Sequence, residues 1–249
     1  MTDYPSPLPA SVRLAWWGTA WLRGHVVADL LIDAVVDQDA THLVRHLDDE
    51  AEPLVTGLGR LRAAGADAFG AALPAEGDPV GLGGPGEFNA AALEVGEAVV
   101  AVDAAGFVLR GLVPERVGAA VTWRVLAADR RQLPDVGEAD RGLRSALPEA
   151  ADELARLEVA RWRPEVADRL MDLRHRPPLL APPGVPPRCV ELAARGLQAL
   201  EIVELGLADD GGALTAMEAQ ARRAALLPLG RAARRALVAA ASPEVWPPD

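Results

Sequence analysis

A histidine and an aspartate four positions apart are the first residues whose types and spacing allow acid–base chemistry. His25 and Asp29 would lie one turn apart on a helix predicted over residues 11–36, where a carboxylate can fix the tautomer of an imidazole. Trp17 and Trp21 continue the same steps of four and would form the floor of a pocket beside the pair. The competing interpretation, which this spacing favours, is a wide buried helix face that ends in a surface ion pair. His25 and Asp29 are therefore catalytic candidates without an assigned reaction.

His42 and His46 are the candidate metal ligands, because residues four apart share a face of a helix or of a strand. Two imidazoles at this spacing can bind zinc. The zinc-protease pattern, however, requires a glutamate directly after the first histidine, and Leu43 occupies that position. We therefore predict no tight zinc or iron site and no cofactor.

Residues 77–86 read GDPVGLGGPG and follow a predicted strand, a place where backbone amides can bind a phosphate. The run matches neither the Walker pattern nor the dinucleotide-binding fingerprint. It contains no Ser, Thr or Arg, and Asp78 and Glu87 would repel an anion. A structured surface loop is the favoured interpretation. The alternative is a small-ligand or cofactor site on the backbone of the last three glycines of the run, Gly83, Gly84 and Gly86.

All 25 basic residues of the chain are arginines, which excludes lysine chemistry such as a Schiff base or a P-loop lysine. Two stretches, residues 161–176 and 222–235, are rich in arginine. If residues 202–214 form a β-hairpin, the C-terminal third could resemble a winged helix that contacts DNA phosphates. Acidic residues interleave with the first stretch, and the formal net charge is −11. Solvated helix faces are therefore favoured, and nucleic-acid binding is not expected.

The composition predicts a protein of a reducing compartment. The only cysteine, Cys189, cannot form an intrachain disulfide, and we expect it to be a small buried residue. The first residues lack the pattern of a signal peptide. No uncharged apolar stretch reaches the roughly 18 residues of a membrane-spanning helix. We therefore expect a soluble, cytoplasmic protein with no membrane partner.

The positions of apolar residues, glycines and prolines predict an α+β fold, with a predominantly helical body around a small, mainly antiparallel sheet. The clearest strands are residues 98–102 and 107–112, which flank a tight turn, and residues 120–126 form the third strand. The other predicted elements are, in chain order, helices over 11–36 and from Glu52 to Gly65, a strand over 67–73, a helix over 87–95, helical stretches from Glu138 to Leu173, a helix over 188–200, and two helices separated by Pro228.

Two regions follow from this pattern. Residues 1–136 hold the N-terminal helices and the central sheet, and residues 137–249 are mainly helical; the two could form one continuous domain. Six prolines between residues 177 and 187 predict a linker or a rigid surface strap. Residues 202–214 are compatible with a helix followed by a loop or with a β-hairpin.

Three tryptophans, Trp16, Trp17 and Trp21, lie within six positions of the first predicted helix. Their directions span more than one helix face, so a core contact that buries Trp16 is not expected to bury the other two. An exposed apolar patch of this kind favours burial in a twofold interface. We therefore predict a homodimer formed through Trp17 and Trp21.

Four runs of sequence carry a resemblance to a known family: residues 14–22 (LAWWGTAWL), 77–85, 132–140 (QLPDVGEAD) and 161–164 (RWRP). They resemble an uncharacterised family of actinobacterial proteins of similar length, and the likeness spans most of the chain. The resemblance implies a source and no particular activity.

Three functions remain open. A non-catalytic interaction or scaffold protein that self-associates is favoured, because no complete catalytic constellation is present. The first alternative is a small-ligand-binding protein or an enzyme with its site at residues 77–86. The second is a DNA-associated regulator that uses the C-terminal arginines. The sequence does not identify a small-molecule ligand.

Overall fold

The computed structural model describes residues 6–46, 50–156, 178–208 and 216–247, which form an α+β fold with a predominantly helical body. The elements are α1 (Ala10–Leu22), α2 (Ala28–Val36), β1 (Thr41–His46), β2 (Glu52–Pro53), α3 (Leu54–Ala63), β3 (Ala68–Ala72), α4 (Gly86–Val95), β4 (Ala98–Val102), β5 (Val108–Val117), β6 (Ala120–Leu126), α5 (Val136–Arg156), α6 (Pro187–Ala208), α7 (Ala216–Ala240) and a final 3-10 turn, Pro243–Val245. Among these residues, no helix is long and apolar enough to cross a membrane.

The sheet has six strands in the order β2-β1-β6-β5-β4-β3 and is mixed, because β1 runs parallel to β6. The prediction of a small, mainly antiparallel sheet is therefore wrong. The strands from β3 to β6 each pair with the next strand in the chain, whereas β1 pairs with a strand that follows it by some eighty positions, Thr41 opposite Ala120. Such a pairing leaves no local pattern in the sequence.

Helices cover the two faces of the sheet unequally. On one face, α1, α3 and α7 pack over a core that includes Phe69, Leu112 and Trp123. On the other face, α4 packs over a second core that includes Val100 and Phe88. β3 and β4 are therefore buried on both sides, which explains their continuous runs of small and branched apolar residues.

The outer edge of β3 is closed by groups from three other parts of the chain. Phe69 donates its N–H to Thr19 Oγ1 (2.9 Å) and accepts from the same hydroxyl through its carbonyl (3.1 Å). Two positions later, Ala71 donates to the carbonyl of Ala241 (2.9 Å) and accepts from Arg131 (2.9 Å). The backbone groups that a seventh strand would use are thus already bonded.

The first predicted helix is two helices, so the prediction of one helix over residues 11–36 is wrong. α1 ends at Leu22, and α2 begins only at Ala28. Between them Gly24 adopts a positive φ of 75°, a conformation that ends a helix and that glycine adopts without strain. Pro9 occupies the N-cap position of α1.

The C-terminal helices decide between two alternatives and overturn one prediction. α6 continues to Ala208, so residues 202–207 are helical, as in the first of the two alternatives for this segment, and do not begin a β-hairpin; residues 209–215 lie outside the described residues. α7 runs without interruption through Pro228, although the proline was expected to divide it. Packing of α7 against α5 and α6 outweighs the cost of one proline on an exposed face.

The end of α7 joins the helical region to the sheet. The carbonyl of Ala240 accepts from the indole N–H of Trp16 (3.0 Å) and from that of Trp246 (3.0 Å). Arg131, almost fully buried, forms an ion pair with Glu244 (2.7 Å) beyond the helix. One continuous core therefore extends from α1 to α7.

Candidate functional site

A groove of about 450 Å³ lies between the first turns of α5 and the last turns of α7, and we call it the α5–α7 groove. Its lining residues are Pro134, Glu138, Ala139, Arg141, Gly142, Ala232 and Arg235. This volume lies within the range of sites that hold small molecules. The groove is therefore the first place to look for a ligand.

The start of α5 is fixed by Asp135, whose Oδ1 accepts from the backbone N–H of Gly137 (2.8 Å) and of Glu138 (3.0 Å). A side-chain cap of this kind satisfies amides that have no partner inside the helix. Val136 and Leu143 are then buried, and Glu138 remains exposed at the groove. The helical period thus assigns the large apolar residues to the core and leaves the side chain of Glu138 at the groove.

Small residues create the space between the two helices. Ala139 and Gly142 on α5 face Ala232 on α7 across the groove, and none of them has a side chain long enough to fill it. Arg235 follows Ala232 by three positions and therefore lines the same side of α7. The result is an apolar floor with charged groups on the helices that border it.

Arg141 and Arg235 are both exposed, and within the described part of the chain neither has an ion-pair partner. Neighbouring arginines differ in this respect. Arg144 and Arg195 both contact Asp140, at 2.7 and 2.6 Å. The two groove arginines are thus left available for another anion.

A third arginine approaches the start of α5. A methyl group added at Gly137 would lie 3.1 Å from Asp135 Oδ1, 3.4 Å from an Nη atom of Arg141 and 3.9 Å from one of Arg188, which comes from the first turn of α6. Two guanidinium groups and one carboxylate therefore lie near the same point of the backbone. Of these two arginines only Arg141 also lines the groove, together with Arg235 of α7 and the carboxylate of Glu138.

This arrangement suits binding of an anion better than proton transfer. Guanidinium groups bind carboxylates and phosphates in a planar, two-pronged geometry and stay charged at every physiological pH. The lining residues include no histidine, cysteine, serine or aromatic side chain. The groove therefore offers charge, hydrogen-bond donors and an apolar floor.

His42, a candidate metal ligand, is instead part of a buried hydrogen-bonded network. Its Nε2 donates to Asp39 Oδ2 (2.9 Å), and its Nδ1 accepts from the indole N–H of Trp123 (3.1 Å). Arg116 donates to the other oxygen of Asp39 (2.6 Å). Because the indole can only donate, the neutral His42 must carry its proton on Nε2.

This network also determines the charge states of His42 and Asp39. Burial lowers the pKa of His42, and the nearby Asp39 only partly opposes that effect. Burial raises the pKa of Asp39, but hydrogen bonds from His42 and Arg116 outweigh it and hold the pKa below its ordinary value. The pair thus combines a neutral imidazole with a charged carboxylate, an arrangement that secures β1 against β5 and β6.

His46 lies on the same face of β1 as His42 but has different neighbours. Its Nε2 donates to the carbonyl of Gly57 (3.1 Å) and lies 3.7 Å from Glu52 Oε1. Among the described residues, no group of three or more His, Cys, Asp or Glu side chains could hold a metal ion. The expected absence of a metal stays a prediction, to be tested by metal analysis.

His25 and Asp29 are placed by the break between the first two helices. His25 lies in the connecting loop, where its Nδ1 donates to the carbonyl of Pro183 (3.2 Å) in the proline-rich segment. Asp29 is in the first turn of α2 and is exposed. No hydrogen bond or ion pair joins the two within the described chain, so their catalytic role stays a prediction without geometric support.

The glycine-rich loop packs tightly against the residues that follow β6. Gly84 donates to Asn89 Oδ1 (3.0 Å) and accepts from the N–H of Asp129 (2.8 Å). A side chain at Gly83 would collide with the backbone of Arg130, whereas Gly86 has open space beside it. The amide of Gly84 is thus engaged within the chain, which favours the structural interpretation of this loop.

The other chemical candidates have ordinary surroundings. Burial raises the pKa of the Cys189 thiol to about 11, so the thiolate is scarce at neutral pH. Of the two arginine-rich stretches, residues 161–176 lie outside the described residues. The stretch 222–235 lies on α7, where Arg234 pairs with Asp78 (3.0 Å) and Arg235 lines the groove.

The structure does not support the predicted homodimer through Trp17 and Trp21. Trp17 is only 9 % exposed and packs in the main core. Trp21 is half-buried, and the guanidinium of Arg62 lies over its ring, 5.2 Å from the centroid. The break after α1 lets α2 fold back against it, so one chain covers the faces that a straight helix would have left open.

Residues 11–139 match the family model described as Rv1486c-like protein, N-terminal domain, and residues 137–238 match the one described as Rv1486c-like protein, C-terminal domain. The chain belongs to the Rv1486c-like protein family. Comparison with curated proteins and with solved structures gives no match.

The groove lies where the two family matches meet. Arg141 and Arg235 fall within the match to the C-terminal domain, and Glu138 lies in the short overlap of the two matches, whereas His42 and Asp39 fall within the match to the N-terminal domain. Sequence reasoning includes Arg235 only within an arginine-rich stretch and does not single out the other groove residues. No local signal could have joined them, because the groove depends on how α5 packs against α7.

Proposed function

We propose that this protein is a non-catalytic binding protein that holds a small anionic molecule in the α5–α7 groove. The observation that carries the proposal is that Arg141 and Arg235 line one cavity without an ion-pair partner in the described chain. A carboxylate or phosphate between them would form charge-assisted hydrogen bonds.

The excess of acidic residues gives more weight to the lack of ion-pair partners at Arg141 and Arg235. The chain has 36 acidic residues against 25 arginines, so carboxylates are in excess. Arginines close to the groove, such as Arg144 and Arg195, do have carboxylate partners. A bound anion would relieve the repulsion between the two guanidinium groups and so stabilise the folded state.

The positions of the residues with shifted pKa values support a protein that binds its ligand without converting it. Arg13, Asp39, His42 and Cys189 have clearly displaced pKa values, and none of them lines the groove. Catalytic sites usually combine a cavity with such groups. The self-associating scaffold has no support from Trp17 and Trp21, because Trp17 is buried within one chain and Arg62 lies over the ring of Trp21. The DNA-binding alternative required a β-hairpin over residues 202–214, and residues 202–207 are helical.

The proposal is tested by anion-dependent thermal stability. Acetate and inorganic phosphate, each compared with chloride at equal ionic strength, should raise the Tm of the wild-type chain. A ligand at one hundred times its Kd stabilises the folded state by about 2.7 kcal/mol. The double variant Arg141→Gln, Arg235→Gln should lose the shift.

Arg144→Gln is the matched control, because Arg144 is exposed on the same helix but already pairs with Asp140. It should keep the response to acetate and phosphate. Equal Tm values in all three salts, or a full response in the double variant, would exclude the groove as an anion site.

A further inference from the structure

The carboxylate of Glu138 limits which anions suit the α5–α7 groove. Glu138 lines the groove together with Arg141 and Arg235. Within the described chain its side chain has no ion-pair partner, although Arg141 follows it by three positions on the same helix. Three positions is a spacing at which opposite charges can pair. The groove thus presents an unpaired negative group as well as unpaired positive ones.

One kind of ligand can pair with both the arginines and Glu138. A ligand with two anionic groups would place one of them near Glu138, where like charges repel. A ligand with one anionic group and one protonated amine would satisfy both the arginines and Glu138. The apolar lining between them, Pro134, Ala139 and Ala232, contains no aromatic ring on which a base could stack.

We propose that the ligand of the groove is a small aliphatic amino acid or a related zwitterion. Its carboxylate or phosphate group contacts Arg141 and Arg235, its amine contacts Glu138, and its aliphatic part lies on the alanine and proline floor. The proposal rests on the proposed function, because it requires the groove to bind an anion at all.

Matched pairs of probes separate the contribution of the amine from that of the anion. The pairs are glycine with acetate, β-alanine with propionate, and 4-aminobutyrate with butyrate, titrated into the full chain by calorimetry at constant ionic strength. At least one amino acid should bind about fivefold more tightly than its amine-free partner, as expected for one partly exposed ion pair. Glu138→Gln should remove that preference and keep the binding of the amine-free acids.

Each remaining outcome decides a different question. If the amine-free acids bind and need the two arginines, but no amino acid binds more tightly, the zwitterion proposal is wrong and the proposed function stands. If no probe binds to the wild-type chain, both are wrong. A preference for amino acids that survives Glu138→Gln would also overturn the zwitterion proposal. Circular dichroism and urea unfolding of the variant confirm that it is folded.

Discussion

At the scale of single residues, the two hydrogen bonds of His42 fit only one protonation state of its imidazole. Nδ1 accepts from Trp123, so a proton on Nδ1 would replace that bond with two donors facing each other. The charged groups around it are Asp39, which favours a charged imidazole, and Arg13 and Arg116, which disfavour it. Burial is the largest effect and also disfavours the charge.

Stability should therefore fall as the pH is lowered through the ordinary pKa of histidine. The pKa of His42 is lower in the folded chain, so the unfolded chain binds more protons below about pH 6.5. The stabilisation is complete above that pH and decreases below it, by at most about 1.4 kcal/mol per pH unit for this one group. Urea unfolding between pH 7.5 and pH 5 measures the slope, at values chosen to bracket the histidine pKa of about 6.5.

His42→Gln should flatten this pH dependence, because an amide can donate to Asp39 and accept from Trp123 without titrating in this range. His25→Gln is the control, since it removes a histidine from an exposed loop and leaves the network intact. An unchanged slope in His42→Gln would show that other groups cause the pH dependence.

At the scale of elements, α3 contains two glycines that differ in the space beside them. A side chain at Gly57 would collide with Val44 of β1, whereas the space beside Gly59 is open. Gly57→Ala should destabilise the fold by about 1–3 kcal/mol, because a packed helix–strand contact cannot absorb a methyl group. Gly59→Ala should stabilise it by up to about 1 kcal/mol through helix propensity.

Urea unfolding of both variants checks this prediction, and each variant serves as the control for the other. A stable Gly57→Ala would mean that α3 does not lie as close to β1 as the structure places it. Because His46 donates to the carbonyl of Gly57, a shift of α3 would also be visible in the chemical shifts of that imidazole.

The elements that could be predicted are those whose pattern is local. The strand over 120–126 is observed as predicted, and α4 begins one residue before its predicted start and ends at Gly96 as expected. The sequence pattern does not reveal the break at Gly24, because apolar residues continue at helical steps on both sides of it. Pro228 does not divide α7, because the packing of that helix outweighs the local preference of proline.

The groove could not be predicted in the same way. Glu138 and Arg235 are almost one hundred positions apart, and each looks like an ordinary residue on a solvated helix face. Only the packing of α5 against α7 shows that they line one cavity. His42 was singled out for its chemistry, and its actual role depends on Trp123, a contact that requires the parallel pairing of β1 with β6.

For the whole molecule, Arg131 joins parts that are far apart in the chain. Its guanidinium contacts the carbonyl of Ala71, Ser242 Oγ and Glu244 in almost complete burial. Glu244→Gln would leave a buried cation without its counter-charge, at a cost of about 1–3 kcal/mol. Unfolding followed by far-UV circular dichroism and by tryptophan fluorescence should shift equally, because one core extends through both matched domains.

Glu94→Gln is the control for charge alone, since Glu94 is exposed on α4 and forms no ion pair within the described chain. It should leave the free energy of unfolding almost unchanged. Two separate transitions in Glu244→Gln would show instead that the sheet and the C-terminal helices unfold independently.

The closed edge of β3 has a consequence for the order of events during synthesis. Thr19 precedes the strand and can bond Phe69 as soon as both have left the ribosome, but Ala241 follows Ala71 by 170 positions. At typical rates of translation, roughly 10–30 s separate the two residues. During that interval Ala71 presents free backbone groups on a strand of small apolar residues, the kind of edge to which other chains add. Nascent chains stalled before residue 241 should therefore depend on chaperones far more than the finished protein does.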